Sequence, residues 1–153
     1  MLRHGSSSIR LLLDSSDTGG AISAHRAVLG DGALGATPHR HTGSSELFYV
    51  LDGSVDVLAG DDLVTAVQGD LVVVPPGFAH AFSATPGCTA EMLIIVTPGI
   101  ERFDFFRALS AVVDGTADRD TFMSDQARYD TYPASSVRWD ARTAPPSATN
   151  SPV

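Results

Sequence analysis

The sequence predicts an all-β domain, an antiparallel sandwich or barrel, followed by helices. Short apolar runs of strand length recur at close spacing through the first two thirds of the chain. Turn-forming residues separate these runs, as at Asp52-Gly53 and Pro75-Pro76-Gly77. After Thr97-Pro98 the pattern stops and apolar residues recur at helical spacing.

Eight strands are predicted in chain order, at residues 9–13, 21–29, 46–51, 55–59, 63–67, 71–74, 80–84 and 92–96. The run 46–51 is apolar on both faces, so we expect both to be covered, one of them by the barrel interior. The barrel core therefore spans about residues 21–97 of a single domain over residues 1–132. No internal repeat indicates a second barrel.

Two helices are predicted in the following part, residues 98–131. Phe105, Leu109 and Val112 form one apolar stripe, which should pack on the barrel, and Gly115 fits the helix end. A shorter helix is expected over residues 118–129. Residues 133–153 are rich in Pro, Ser, Thr and Ala and predict a mobile tail, although Trp139 is typical of an anchor to the protein body.

Composition excludes several classes of function. The net charge of −8 and the lack of a basic cluster argue against nucleic acid or an anionic membrane as the main partner. No apolar run approaches the roughly 20 residues that span a bilayer, and the N-terminus does not resemble a signal peptide. The single cysteine, Cys88, agrees with a reducing compartment, so we expect a cytoplasmic protein. The chain has no lysine, which excludes Schiff-base chemistry and a Walker-type site.

Three histidines and one glutamate form a candidate metal site. His39 and His41 should share a strand face, since side chains alternate. Glu46 follows His39 by seven residues, an odd number, so an unbroken strand would place it on the opposite face from the histidines. The turn-like segment 42–45 can bring it back to the same face. His80 begins a later strand. Imidazole and carboxylate suit a first-row divalent ion, whereas each residue alone would be read as an ordinary polar turn or edge residue.

Read together, these residues resemble the two motifs of the cupin superfamily. His39, His41, Glu46 and Gly53 match the first motif in spacing, although its leading glycine is displaced to Gly32. Four residues match the second motif, namely Gly69, Pro75, Gly77 and His80, while Ala84 replaces a final asparagine that is not a ligand. The resemblance covers about residues 21–97.

This resemblance implies a jelly-roll β-barrel with one divalent metal ion inside, held by His39, His41, Glu46 and His80. It also implies a homodimer formed by exchange of edge strands, which would bury the segment 9–13. The site is similar to that of bacterial quercetin dioxygenases, with Glu46 as a ligand and catalytic base. Phe48, Val50, Phe82 and Met92 would wall a pocket for a flat apolar substrate, and His25 is a further candidate for its lining.

The predicted site is compatible with three functions. The first is an oxygenase that acts on an aromatic or enolisable small molecule with dioxygen. The second is an oxygen-independent isomerase, cyclase or lyase that uses the same metal and Glu46 to move protons. The third is a ligand-binding protein without catalysis. The donor set accepts Fe, Mn, Ni, Co, Zn or Cu, so the metal stays unresolved.

Overall fold

Glycine, proline and aspartate turns divide the chain into short antiparallel strands. The computed structural model describes residues 1–143. Its strands are β1 Leu2–His4, β2 Ser7–Leu13, β3 Ser23–Leu29, β4 Leu34–Arg40, β5 Ser45–Ala59, β6 Asp62–Val67, β7 Leu71–Val74, β8 His80–Ala84, β9 Ala90–Thr97 and β10 Tyr132–Pro133. Its helices are α1 Arg102–Val113, α2 Arg119–Ser124 and α3 Val137–Thr143, with 3-10 turns at Ser15–Thr18 and Gln126–Tyr129.

Two antiparallel sheets share the long strand β5 and curl into a barrel. One sheet has the order β1-β2-β3-β9-β5-β7, and the other has the order β10-β4-β8-β5-β6. The first half of β5 pairs with β9, and the second half pairs with β8. The predicted antiparallel barrel with C-terminal helices is therefore confirmed.

The segment Asp52-Gly53 lies within a strand, next to a bulge, and is not a turn. The predicted strands 46–51 and 55–59 are one strand, whose register against β9 shifts between Val50 and Asp52. Gly53 has a φ of 75°, and a Cβ there would collide with the carbonyl oxygen of Thr89. The bulge and the left-handed glycine that follows it bend the strand, which lets β5 pass from one sheet to the other.

The barrel interior contains an apolar core, formed by every second residue of the strands. On β9, every second side chain from Ala90 to Val96 is buried, as a strand with one inward face requires. The core includes Phe48, Val50, Val55, Val57, Val74, Met92 and Ile94. Tyr49, on the other face of β5, is 40% exposed. The sequence predicts that this outer face is covered, whereas the structure leaves part of it uncovered.

The first two helices pack on the N-terminal hairpin. Phe105 and Phe106 of α1 join Phe122 of α2 and Tyr129 in one cluster, with Ile9 and Leu11 of β2 against them. Ile9 and Leu11 thus pack within their own chain, whereas Leu12 and Leu13 of the same segment are exposed. The predicted second helix is interrupted at Asp125, where α2 gives way to the 3-10 turn. No helix in the described part is long and apolar enough to cross a membrane.

The predicted tail from residue 133 is corrected for residues 133–143. Pro133 pairs with His39 in β10, and α3 follows over Val137–Thr143. Trp139 is 3% exposed and packs with Leu58 and Ala81 on the outside of the second sheet. The tryptophan supplies enough apolar area to hold a segment whose composition resembles a linker. Residues 144–153 of the predicted tail lie outside the described residues.

Candidate metal site

The fold brings together the four residues predicted as metal ligands. His39 lies at the end of β4, opposite His80, the first residue of β8, and His41 follows directly after β4. Glu46 is the second residue of β5. One ligand atom from each residue lies within 4.8 Å of the others. The bends at Thr42 and Gly43 separate β4 from β5 and account for the parity of Glu46.

Backbone carbonyls set the tautomer of all three histidines. Nδ1 of His39 lies 2.9 Å from the carbonyl oxygen of Thr37, and Nδ1 of His80 lies 3.1 Å from that of Phe78. Nδ1 of His41 lies 2.6 Å from the carbonyl oxygen of Asp130. A carbonyl only accepts, so each Nδ1 must carry the proton, and a neutral ring then has a free lone pair on Nε2.

The free Nε2 atoms face the Glu46 carboxylate at short distance. Glu46 Oε2 is 2.7 Å from His80 Nε2 and 3.3 Å from His41 Nε2. Nε2 of His80 has no hydrogen-bond partner among the described residues. Two acceptors at this distance repel each other unless a cation lies between or beside them. The donor set therefore fits a divalent metal ion, with second-shell carbonyls that orient the ligands.

In the absence of a metal ion, a proton can offset part of the negative charge of the Glu46 carboxylate. Burial lowers the pKa of His80, but the adjacent Glu46 carboxylate outweighs it and leaves that pKa raised. Burial raises the pKa of Glu46, but His41 and His80 more than compensate and hold it well below its usual range. Burial and the charge of His80 lower the pKa of His39 to about 3. The cluster thus holds an anionic Glu46 carboxylate, a neutral His39 and a His80 that favours its proton, and a metal ion would replace that proton.

Asp130 supports the site from the segment after α2, and no sequence motif points to it. Its backbone carbonyl accepts from His41, and its carboxylate accepts the backbone N–H groups of Thr42 at 2.9 Å and Gly43 at 2.8 Å. It adopts a left-handed φ of 47°, which aspartate tolerates better than most residues. Asp130 therefore fixes both the His41 ring and the bend between β4 and β5.

A cavity of about 550 Å³ opens over the ligand cluster, with His39 and Glu46 in its wall. Of the predicted pocket residues, Phe82 and His25 line it. Phe48, Val50 and Met92 do not, because their side chains point into the barrel core, where each is fully buried. The alternation of residues in the sequence predicts which side chains point inward. It does not predict which of these pack in the core and which line the cavity.

The rest of the cavity wall comes from parts of the chain outside the two motifs. Helices α1 and α2 close the cavity with Phe105, Phe106, Leu109, Val112 and Phe122. Arg102, the first residue of α1, also lines it and is 5% exposed. An arginine at the start of a helix is usually a surface residue, so the sequence gives no signal of this position.

Comparison with known proteins agrees with this fold. Residues 25–96 match the family model described as a cupin domain. The structure resembles KdgF from Halomonas sp., with 21% identity over 66% of this chain and 84% of that chain and a TM-score of 0.55. It also resembles a predicted oxalate decarboxylase from Thermotoga maritima, with 22% identity, coverage of 60% and 79%, and a TM-score of 0.56.

A third structure with this fold is the polyketide cyclase RemF from Streptomyces resistomycificus, with 17% identity, coverage of 71% and 84%, and a TM-score of 0.52. At these identities the likeness shows the fold alone. A comparison with curated proteins finds no significant match. The match over residues 25–96, together with the barrel that these residues build, shows that this chain contains a cupin domain.

Proposed function

We propose that the protein is a metal-dependent oxygenase that acts on a flat, aromatic or enolisable small molecule. The observation that carries this proposal is the position of the His39, His41, Glu46 and His80 cluster at the wall of a largely apolar cavity. A divalent ion held there would supply Lewis acidity toward a substrate hydroxyl. Four protein ligands leave coordination positions free on an octahedral ion.

The chain's own residues supply binding and proton transfer. Phe82, Phe105 and Phe106 offer an apolar wall that excludes water from a flat substrate. Glu46 is anionic and lines the cavity, which places it to accept the proton of a substrate hydroxyl whose acidity a bound divalent ion would increase. Glu46→Gln keeps an oxygen donor but removes this base. We therefore expect turnover to fall by about a hundredfold or more, beyond any loss of metal.

Metal analysis and oxygen uptake test the proposal. Protein purified without added metal should retain a redox-active divalent ion and consume oxygen with quercetin or another enolisable aromatic substrate. The His39→Ala, His41→Ala double variant should lose metal and oxygen uptake. Arg40→Ala is the matched control, because Arg40 is exposed between the two histidines. Undiminished turnover under strict anaerobiosis would contradict the oxygenase.

An oxygen-independent isomerase, cyclase or lyase is the second candidate. It is favoured by His25, a buried histidine that lines the same cavity but is not among the four clustered ligands. With Glu46, it gives the cavity two groups that can exchange protons with a substrate. Labelled dioxygen separates the candidates, because product mass increases only when oxygen is incorporated.

Homodimer formation also stays a proposal, and its support is an apolar patch on the outer face of the first sheet. Tyr49 on β5 lies opposite Leu71 on β7, and Leu47 lies opposite Val73. Tyr49, Leu71 and Val73 are 40%, 55% and 50% exposed in the single chain. A second copy placed on this face would cover them.

A further inference from the structure

The cavity holds a buried positive charge that the metal cluster does not use. The guanidinium of Arg102 forms no ion pair with a carboxylate among residues 1–143. Its Nη1 donates to Thr131 Oγ1 at 3.1 Å, and its Nε has no hydrogen-bond partner in the same part of the chain. Burial lowers the pKa of Arg102, although the negative charges of Glu46, Asp14 and Asp130 act in the opposite direction.

The fold nevertheless holds Arg102 firmly in place. The carboxylate of Asp14 accepts the backbone N–H groups of Arg102 at 2.7 Å and Phe103 at 3.1 Å, and so caps α1 from the end of β2. The guanidinium carbon lies 4.5 Å from the ring centre of Phe105 and 5.2 Å from that of Phe106. These contacts fix the orientation of the side chain but neutralise none of its charge.

His25 lies beside this group on the same aromatic ring. Its ring centre is 4.6 Å from that of Phe106, and its Nδ1 has no hydrogen-bond partner within residues 1–143. His25 and Arg102 both line the cavity with Glu46. A buried cation and a buried imidazole, both with unused hydrogen-bonding capacity, form a receptor for an oxygen anion.

We propose that Arg102, assisted by His25, binds an anionic oxygen group of the substrate, a carboxylate or an ionised hydroxyl, while the aromatic body of the substrate lies along the apolar wall of the cavity. The substrate class is then an aromatic small-molecule anion. The assignment of this molecule as a substrate rests on the proposed function, whereas the binding of the anion does not.

Binding of matched aromatic probes tests this without turnover. Benzoate and 2-naphthoate are titrated calorimetrically against their neutral amides, benzamide and 2-naphthamide, and 4-nitrophenolate represents the ionised hydroxyl. The carboxylates or the phenolate should bind at least about tenfold more tightly than the amides, as a charge-assisted hydrogen bond allows. The anion that binds better identifies the group that Arg102 receives.

Arg102→Met should abolish this preference, because it keeps a long apolar stem and removes the charge; such replacements of a buried ion usually leave a protein folded. Arg107→Met is the matched control, since Arg107 lies on the same helix with its side chain 61% exposed. Equal affinity for anion and amide in the unchanged protein would overturn the proposal. Anion binding that survives Arg102→Met, or that Arg107→Met lowers equally, would also overturn it.

The His39→Ala, His41→Ala double variant separates this proposal from the metal-dependent one. It lacks two metal ligands but keeps Arg102 and His25, so the anion preference should persist in it. If the preference disappears there, the anion binds at the metal and the role of Arg102 is refuted. If it persists while no metal or turnover is found, only the proposed enzymatic function fails.

Discussion

At the scale of single residues, burial decides the protonation state of His25. Burial and the nearby charge of Arg102 lower its pKa to about 3, although Glu46 acts in the opposite direction. In the unfolded chain the imidazole titrates near its ordinary value of 6.5. The folded state therefore binds fewer protons between these two pH values, and acid favours unfolding there.

We expect the stability contribution of neutral His25 to be complete above pH 6.5 and to be lost as the pH falls toward 3. Urea denaturation of metal-free protein at pH 7, 5.5 and 4.5 measures the free energy of unfolding. A His25→Gln variant, which cannot titrate, should lose less stability over this range than the unchanged protein. The two proteins differ only at residue 25, so equal losses would contradict the assignment.

At the scale of elements, α3 shows how a short helix is held by a few side chains. Trp139 packs on Leu58 and Ala81, and Arg142 Nε donates to Asp56 Oδ2 at 2.8 Å. Arg142 Nη2 also donates to Ser83 Oγ at 3.1 Å. A helix of this length is not stable alone, so these contacts with the second sheet keep it folded.

Trp139→Ala should lower the free energy of unfolding by about 3 kcal/mol, the usual cost of deleting a large buried aromatic side chain. Val137→Ala is the control on the same helix, because Val137 is 86% exposed and should change stability by less than about 0.5 kcal/mol. Chemical denaturation measures both variants. Similar effects of the two substitutions would mean that α3 does not pack on the barrel as described.

At the scale of the whole molecule, a metal would join distant parts of the chain. Its ligands come from the end of β4, the start of β5 and the start of β8, so the ion would link both sheets. Binding to the folded state alone stabilises it by about 4 kcal/mol when the free metal is a thousandfold above its dissociation constant.

We therefore expect a chelator to lower the thermal midpoint by on the order of 10 °C, and added divalent metal to restore it. Differential scanning calorimetry measures the shift. The His39→Ala, His41→Ala double variant should show no response to metal or chelator. A midpoint that chelation does not change, in protein shown to have contained metal, would contradict structural coupling between the ion and the barrel.

The sequence by itself determined the features that depend on local pattern and spacing. Apolar runs between turn residues predicted most of the strands, and the two motifs led to the cupin superfamily, which the family match confirms. The same motifs named His39, His41, Glu46 and His80, and the structure brings these four residues together. Strand periodicity and short-range spacing are properties that neighbouring residues largely decide.

Only the tertiary structure decided which residues complete the site. Arg102, Asp130 and Thr131 are separated from the motifs by long stretches of chain, and packing of α1 and α2 on the N-terminal hairpin brings them close. Tertiary packing likewise placed Phe48, Val50 and Met92 in the core rather than the cavity, and Trp139 against the second sheet. Such contacts depend on the shape of the whole interior, which no local pattern of residues encodes.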